Sequence, residues 1–208
     1  MLQTAALHSS VKPRGYRQSI NGVLPRFHLA VSQNQVVLNL LIPAARPERK
    51  ERWIIGGPGA TLGSRDRAVF AVIQDMIGWM EINLAEALSV KRICDKSGYS
   101  IWHFQRKFAQ LIGLNIYTYV RVRRVINASW TLMHTNRPIL DIAVENGFNC
   151  QASFTRTVRN LTGYTPGQMR RAFSEDEEQW LRVIKKLITQ RAVKPRPSGR
   201  GYKARFSD

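Results

Sequence analysis

Residues 98 to 108 read GYSIWHFQRKF, and three of them could do chemistry together. On a helix that begins after Ser100, the residues Ile101, Phe104, Phe108 and Ile112 fall on one apolar face, which leaves Trp102, Gln105 and Arg106 on another. Arg can bond guanine O6 and N7 in two places, Gln can do the same with adenine N6 and N7, and an apolar ring can pack on a thymine methyl. Each residue also has a plainer reading. Trp102 could be a partly buried packer of the helix, and Arg106 a solvated charge or a phosphate contact.

The pattern occurs twice. ICDKSGY at 93 to 99 matches IAVENGF at 142 to 148, and one residue later the match continues from Phe104 to Phe154, Arg106 to Arg156, Gly113 to Gly163 and Arg121 to Arg171. In each copy a short helix, a turn at Gly98 or Gly147, and a second helix with an apolar stripe (Phe154, Val158 and Leu161 in the second) follow in order. A small residue, Cys94 or Ala143, stands four positions before the turn glycine and lets the two helices approach. This is a helix-turn-helix, whose second helix lies in the major groove with its outer side chains at the base edges. The second copy offers Gln151, Thr155 and Arg156 on that face.

Elements must hold the two units. After Gly113 and Gly163 new helices are expected, capped by Asn115 in the first copy and by Thr165, with Pro166 at the first helical position, in the second. The first of these, Ile116 to about His134, joins the copies and spans about 28 Å at 1.5 Å per residue. Two such units in one chain predict a monomer on two successive major-groove segments about 34 Å apart. Because Trp102 is replaced by Ala152 in the second copy, the site should be asymmetric.

The texture changes on either side. Up to residue 65 the chain carries Pro13, Pro25, Pro43, Pro47, Pro58 and a GGPG stretch, so no long helix fits. RFHLAV and VVLNLLI could pair as a hairpin too small to be stable alone, and residues 1–65 are expected to be a weakly structured extension. From Asp66 onward Val69, Val72, Ile73, Met76, Ile77, Met80 and Leu84 recur at helical spacing, and the double unit is assigned to 66–173. In 174–208, Ser174 lies three before Glu177, and Trp180, Val183, Ile184, Leu187 and Ile188 make an apolar stripe, so a further helix is expected. A Pro-Gly-cation tail, expected to be disordered and to strengthen binding electrostatically, closes the chain. The fold class expected is all-α.

Charge and composition narrow the function. Lys and Arg number 32 against 14 Asp and Glu, a net +18 in 208 residues that suits a polyanionic partner. No apolar run reaches the roughly 20 residues of a spanning helix, and no signal-peptide layout opens the chain, so a cytoplasmic protein without a membrane partner is expected. His8, His28, His103 and His134 show no HxxxH or HExxH spacing, and Cys94 and Cys150 make no CxxC. No metal, cofactor or catalytic residue is assigned, and both cysteines are expected to be buried or half-buried small side chains.

The paired stretches ICDKSGYSIWHFQRKF and DIAVENGFNCQASFTRTVRNLTGYTPGQMRRAF resemble the DNA-binding domain of AraC/XylS-family transcription regulators, and SGYSIWHFQRKF most resembles the short MarA/SoxS/Rob branch. The resemblance covers about half the chain. It implies that Trp102, Gln105, Arg106, Gln151, Thr155 and Arg156 meet double-stranded DNA. It also implies an activator's partner, bacterial RNA polymerase, through its α C-terminal domain or σ factor. Cys94 stands where alanine is usual, Met169 where an aromatic is usual, and Ala152 where the branch has a second glutamine. The first 65 residues are too few for the ligand-binding cupin domain of larger members, so no small-molecule effector is expected. Two other classes compete. A fused DNA-repair methyltransferase would need an activated cysteine outside the double motif, where there is none, and a nonspecific coating protein would share the +18 charge.

Overall fold

The computed structural model describes residues 24–32, 35–43, 49–54 and 64–192. Three strands open this part of the chain, β1 (Arg26–Ser32), β2 (Gln35–Ile42) and β3 (Arg49–Ile54), paired antiparallel in the order β1-β2-β3. The fold is therefore not all-α. The hairpin expected from RFHLAV and VVLNLLI forms, with Leu29 opposite Leu38, and β3 adds Trp53 beside Leu38. Charged RKERWI hides a strand because its alternation is offset: Lys50 and Arg52 point to solvent while Trp53 is buried. What is too small to stand alone is stabilised by burial of Phe27, Leu29, Leu38, Leu40 and Trp53 in one core with the helices.

Eight helices follow. They are α1 (Ser64–Ile82), α2 (Val90–Ser97), α3 (Ile101–Ile112), α4 (Ile116–His134), α5 (Ile139–Glu145), α6 (Gln151–Thr162), α7 (Pro166–Phe173) and α8 (Glu177–Ala192). Of the expected stripe on α1, Ile73, Ile77 and Met80 are almost wholly buried. This helix also covers the outer edge of β1, where the Phe27 N–H donates to Glu81 Oε2 (3.4 Å) and Gln74 Nε2 donates to the Leu29 carbonyl (3.0 Å). Edge groups that would otherwise template pairing with another strand are thereby occupied.

One buried cluster ties the sheet to α1 and α4. Arg123, wholly buried on α4, donates through Nε and Nη2 to both carboxylate oxygens of Glu81 (2.7 and 2.6 Å) and through Nη2 to the Pro25 carbonyl (2.6 Å). Its guanidinium carbon lies 4.3 Å from the centre of the Phe27 ring, and Tyr119 Oη donates to Glu81 Oε1 (2.8 Å). Burial opposes the Arg123 charge, but the facing Glu81 carboxylate outweighs it and holds the guanidinium more firmly protonated than usual. Burial first, and Glu81 second, push the Tyr119 phenol well above its ordinary range.

At the other end α8 packs its stripe inward. Trp180 is buried, meets Trp130 at a tilt with ring centres 5.3 Å apart, and donates from Nε1 to Ser129 Oγ (2.8 Å). Its cap is not the expected Ser174, which ends α7 in a helical conformation. Asp176 caps α8 instead, accepting from the Gln179 N–H (2.8 Å). The basic tail lies outside the described residues. No helix among the described residues is long and apolar enough to cross a membrane.

Candidate nucleic-acid interface

Both helix-turn-helix units form where the repeat places them. In the first, Ser89 caps α2, Gly98 takes the left-handed conformation (φ 74°) that the turn requires, and Ser100 caps α3 by accepting from the His103 N–H. Cys94 is fully buried between the helices, as is Ala143 in the second unit. Asn115 and Thr165 cap α4 and α7 as expected, Thr165 in a reciprocal box with Gln168.

On α3 the apolar face enters the core through Phe104, Phe108 and Ile112, each 1% exposed or less, while Ile101 at the helix start stays exposed. Trp102 is 69% exposed and Arg106 is exposed beside it, its guanidinium 5.2 Å from the Trp102 ring centre. The pair holds the arginine fork over a flat apolar plate, a cation–π contact that limits how far the fork can swing. Gln105 is half-buried next to them. Lys107, on the flank of α3, bonds Asp66 of α1 (2.7 Å) and fixes the helix against the unit's first element.

On α6 Gln151 and Arg156 are exposed and Thr155 is half-buried. These three line one open concavity of about 760 Å³ together with Ala152, Arg159, Asn160 and Thr165. Arg159 and Asn160 are not among the residues expected from the sequence to meet DNA, and Thr165 is expected there only as a helix cap. Arg159 and Asn160 stand three and four residues beyond Arg156, one turn further along the same face, and that spacing could have found them. Arg121 of α4 braces α6 from within, donating through Nη2 to the buried Thr157 Oγ1 (2.7 Å).

The cap of α6 departs from expectation. Cys150 is exposed, not buried, because it is the N-cap, its Sγ accepting from the Ser153 N–H (3.4 Å). That backbone hydrogen bond holds the thiol below its ordinary range. Among the described residues, no group of three or more His, Cys, Asp or Glu side chains is placed to hold a metal ion.

Known proteins share this doubled unit. Residues 93–172 match a family model described as a helix-turn-helix domain. The chain is 33% identical over 121 residues to the multiple antibiotic resistance protein MarA of Escherichia coli K12, a match covering 58% of this chain and 95% of MarA. The chain belongs to the AraC/XylS family of transcription regulators. Members of this family act as regulators and not as enzymes. The probable transcription factor PqrA of Proteus vulgaris is 40% identical over 101 residues, covering 48% of this chain and 83% of PqrA. The right origin-binding protein of Escherichia coli K12 is also 40% identical over 101 residues, but there the match covers 49% of this chain and only 35% of the relative. This AraC/XylS chain thus spans about a third of that longer relative. Among solved structures, a transcriptional regulator with an AraC-type DNA-binding domain from Chromobacterium violaceum superposes with a TM-score of 0.49 at 26% identity, over 53% of this chain and 98% of that one.

Proposed function

We propose that this protein is a sequence-specific transcription activator that binds an asymmetric promoter site as a monomer. In this reading α3 and α6 enter successive major-groove segments, with Trp102, Gln105 and Arg106 reading one half and Gln151, Thr155 and Arg156 the other. Bacterial RNA polymerase, met through its α C-terminal domain or σ factor, is the partner that binding recruits. The observation that carries the reading is the pair Arg106 and Arg156, repeat-equivalent and both exposed on the second helix of their units. An exposed arginine in that position matches the bidentate acceptors of guanine. The differing neighbours, Trp102 against Ala152, support a site without a palindrome. The name of PqrA, a probable transcription factor, points the same way.

Selection of bound duplexes from a random DNA pool tests the reading. Enrichment of one non-palindromic sequence with two boxes about one helical turn apart is expected, with one chain per site in sedimentation. A pool that enriches nothing would leave a basic coating protein, and two chains per site would refute the monomer.

A further inference from the structure

The half-buried Arg124 sits near the middle of α4 and is the one place among the described hydrogen bonds where a single side chain grips both units. Its Nε donates to the Leu84 carbonyl (2.8 Å) and its Nη2 to the Glu86 carbonyl (2.6 Å), both in the loop that leaves α1 in the first unit. Its Nη1 donates to the Gly147 carbonyl (2.8 Å), in the turn of the second. The guanidinium therefore lies between the segments that follow α1 and α5, where burial opposes its charge and three carbonyl oxygens answer its N–H groups. The two units also touch there. A Cβ on Gly147 would stand 2.7 Å from Arg124 Cζ and 3.0 Å from the Ala85 carbonyl oxygen, and Gly147 itself has φ 73°. Glycine is needed at this turn for its conformation and for this approach.

We propose that Arg124 is a positioning residue that fixes the angle and separation of the two recognition helices, and so sets the spacing of the two DNA boxes that the protein accepts. The inference rests on the DNA-binding reading above. Each unit packs on α4 through the buried face of that helix, and Arg124 adds a direct polar contact from one unit's loop to the other's turn, which locks the two units against each other as well as against α4. A planar fork with three N–H directions reaches three carbonyls at once, whereas an ammonium is a point charge that cannot span them. Arg124 touches no base in this account. It acts through where it holds α3 and α6.

The test uses the full chain, duplexes carrying the selected site with one base pair added or removed between the boxes, and duplexes carrying one box alone. Wild type should prefer the native spacing by about tenfold or more, since a misplaced unit forfeits at least one base contact. Arg124→Lys keeps the charge, so its affinity for one box alone should stay within about twofold while its preference among spacings shrinks to about threefold or less. Unchanged spacing preference in Arg124→Lys and in Arg124→Gln overturns the proposal. Should these variants not fold, residual dipolar couplings on the DNA-free wild type decide: α3 and α6 must share one alignment tensor, and two independent tensors overturn the clamp. A wild type that enriches no sequence fails the DNA-binding reading even where the tensor is shared, so the two failures are distinguishable.

Discussion

Removing Glu81 should nearly unfold the protein, and removing its partner as well should cost less than the two separate losses added together. Arg123 has no exposed side-chain surface and Glu81 has 8%, so neither charge can turn to water when the other is lost. In Glu81→Leu the guanidinium loses both charge-assisted bonds, and the Tyr119 hydroxyl and the Phe27 N–H lose an acceptor. Breaking a buried pair from one side costs about 3–5 kcal/mol, and Arg123→Met should cost a similar amount because it strands the carboxylate. Additivity would put the double variant at about 6–10 kcal/mol, comparable with the whole stability of an ordinary domain. Once both charges are gone neither is stranded and only neutral groups lack partners, so the double variant should fall short of that sum by a coupling of about 3 kcal/mol. Urea unfolding followed by tryptophan fluorescence measures all three, with Trp53 on the docked sheet as one of the reporters. Single losses below about 1 kcal/mol, the size seen for exposed pairs, or a double loss equal to the sum, would refute the reasoning.

Other outcomes follow from the same contacts. Because the native state holds the Tyr119 phenol well above its ordinary value, the unfolded chain releases that proton first as pH rises past 10. Stability contributed by this group is full below pH 10 and should fall above it by up to about 1.4 kcal/mol per pH unit, a slope that Tyr119→Phe reduces in urea unfolding at pH 9, 10 and 11. An identical slope in both proteins would count against the buried neutral phenol. Cys150→Ser replaces the capping sulfur with a hydroxyl oxygen that can accept the same N–H, and should bind DNA as wild type does with and without reductant, as should Cys94→Ala. Cys150→Ala should instead lower stability by about 1 kcal/mol, read as a shift in the urea midpoint.

Local features were legible in the sequence. Ser100, Asn115 and Thr165 announce helix starts by residue type alone, and the spacing of Phe104, Phe108 and Ile112 fixes which face of α3 is buried and leaves Trp102 outside. The doubled unit was legible because a repeat compares the chain with itself. What escaped depends on partners distant in sequence. Nothing local in the sequence marks Arg123 or Arg124, since Arg123 answers Pro25, 98 residues away, and Arg124 answers loops on either side of it. The strand β3 escaped for the same reason, since only packing under the helices reveals that Trp53 and not its charged neighbours decides the segment. Asp176 displaced Ser174 as the cap of α8 because α7 continues through the serine, a matter of two residues that pattern alone does not resolve.

The sharpest single measurement is the affinity of Arg106→Ala and of Arg156→Ala, each taken on the selected site and on random duplex at one salt concentration. If the two arginines read bases, each variant should lose about 1–3 kcal/mol on the selected site and far less on random DNA, so that specificity relaxes at one position per variant. Equal losses on both duplexes would make the two side chains phosphate contacts and contradict sequence reading by α3 and α6.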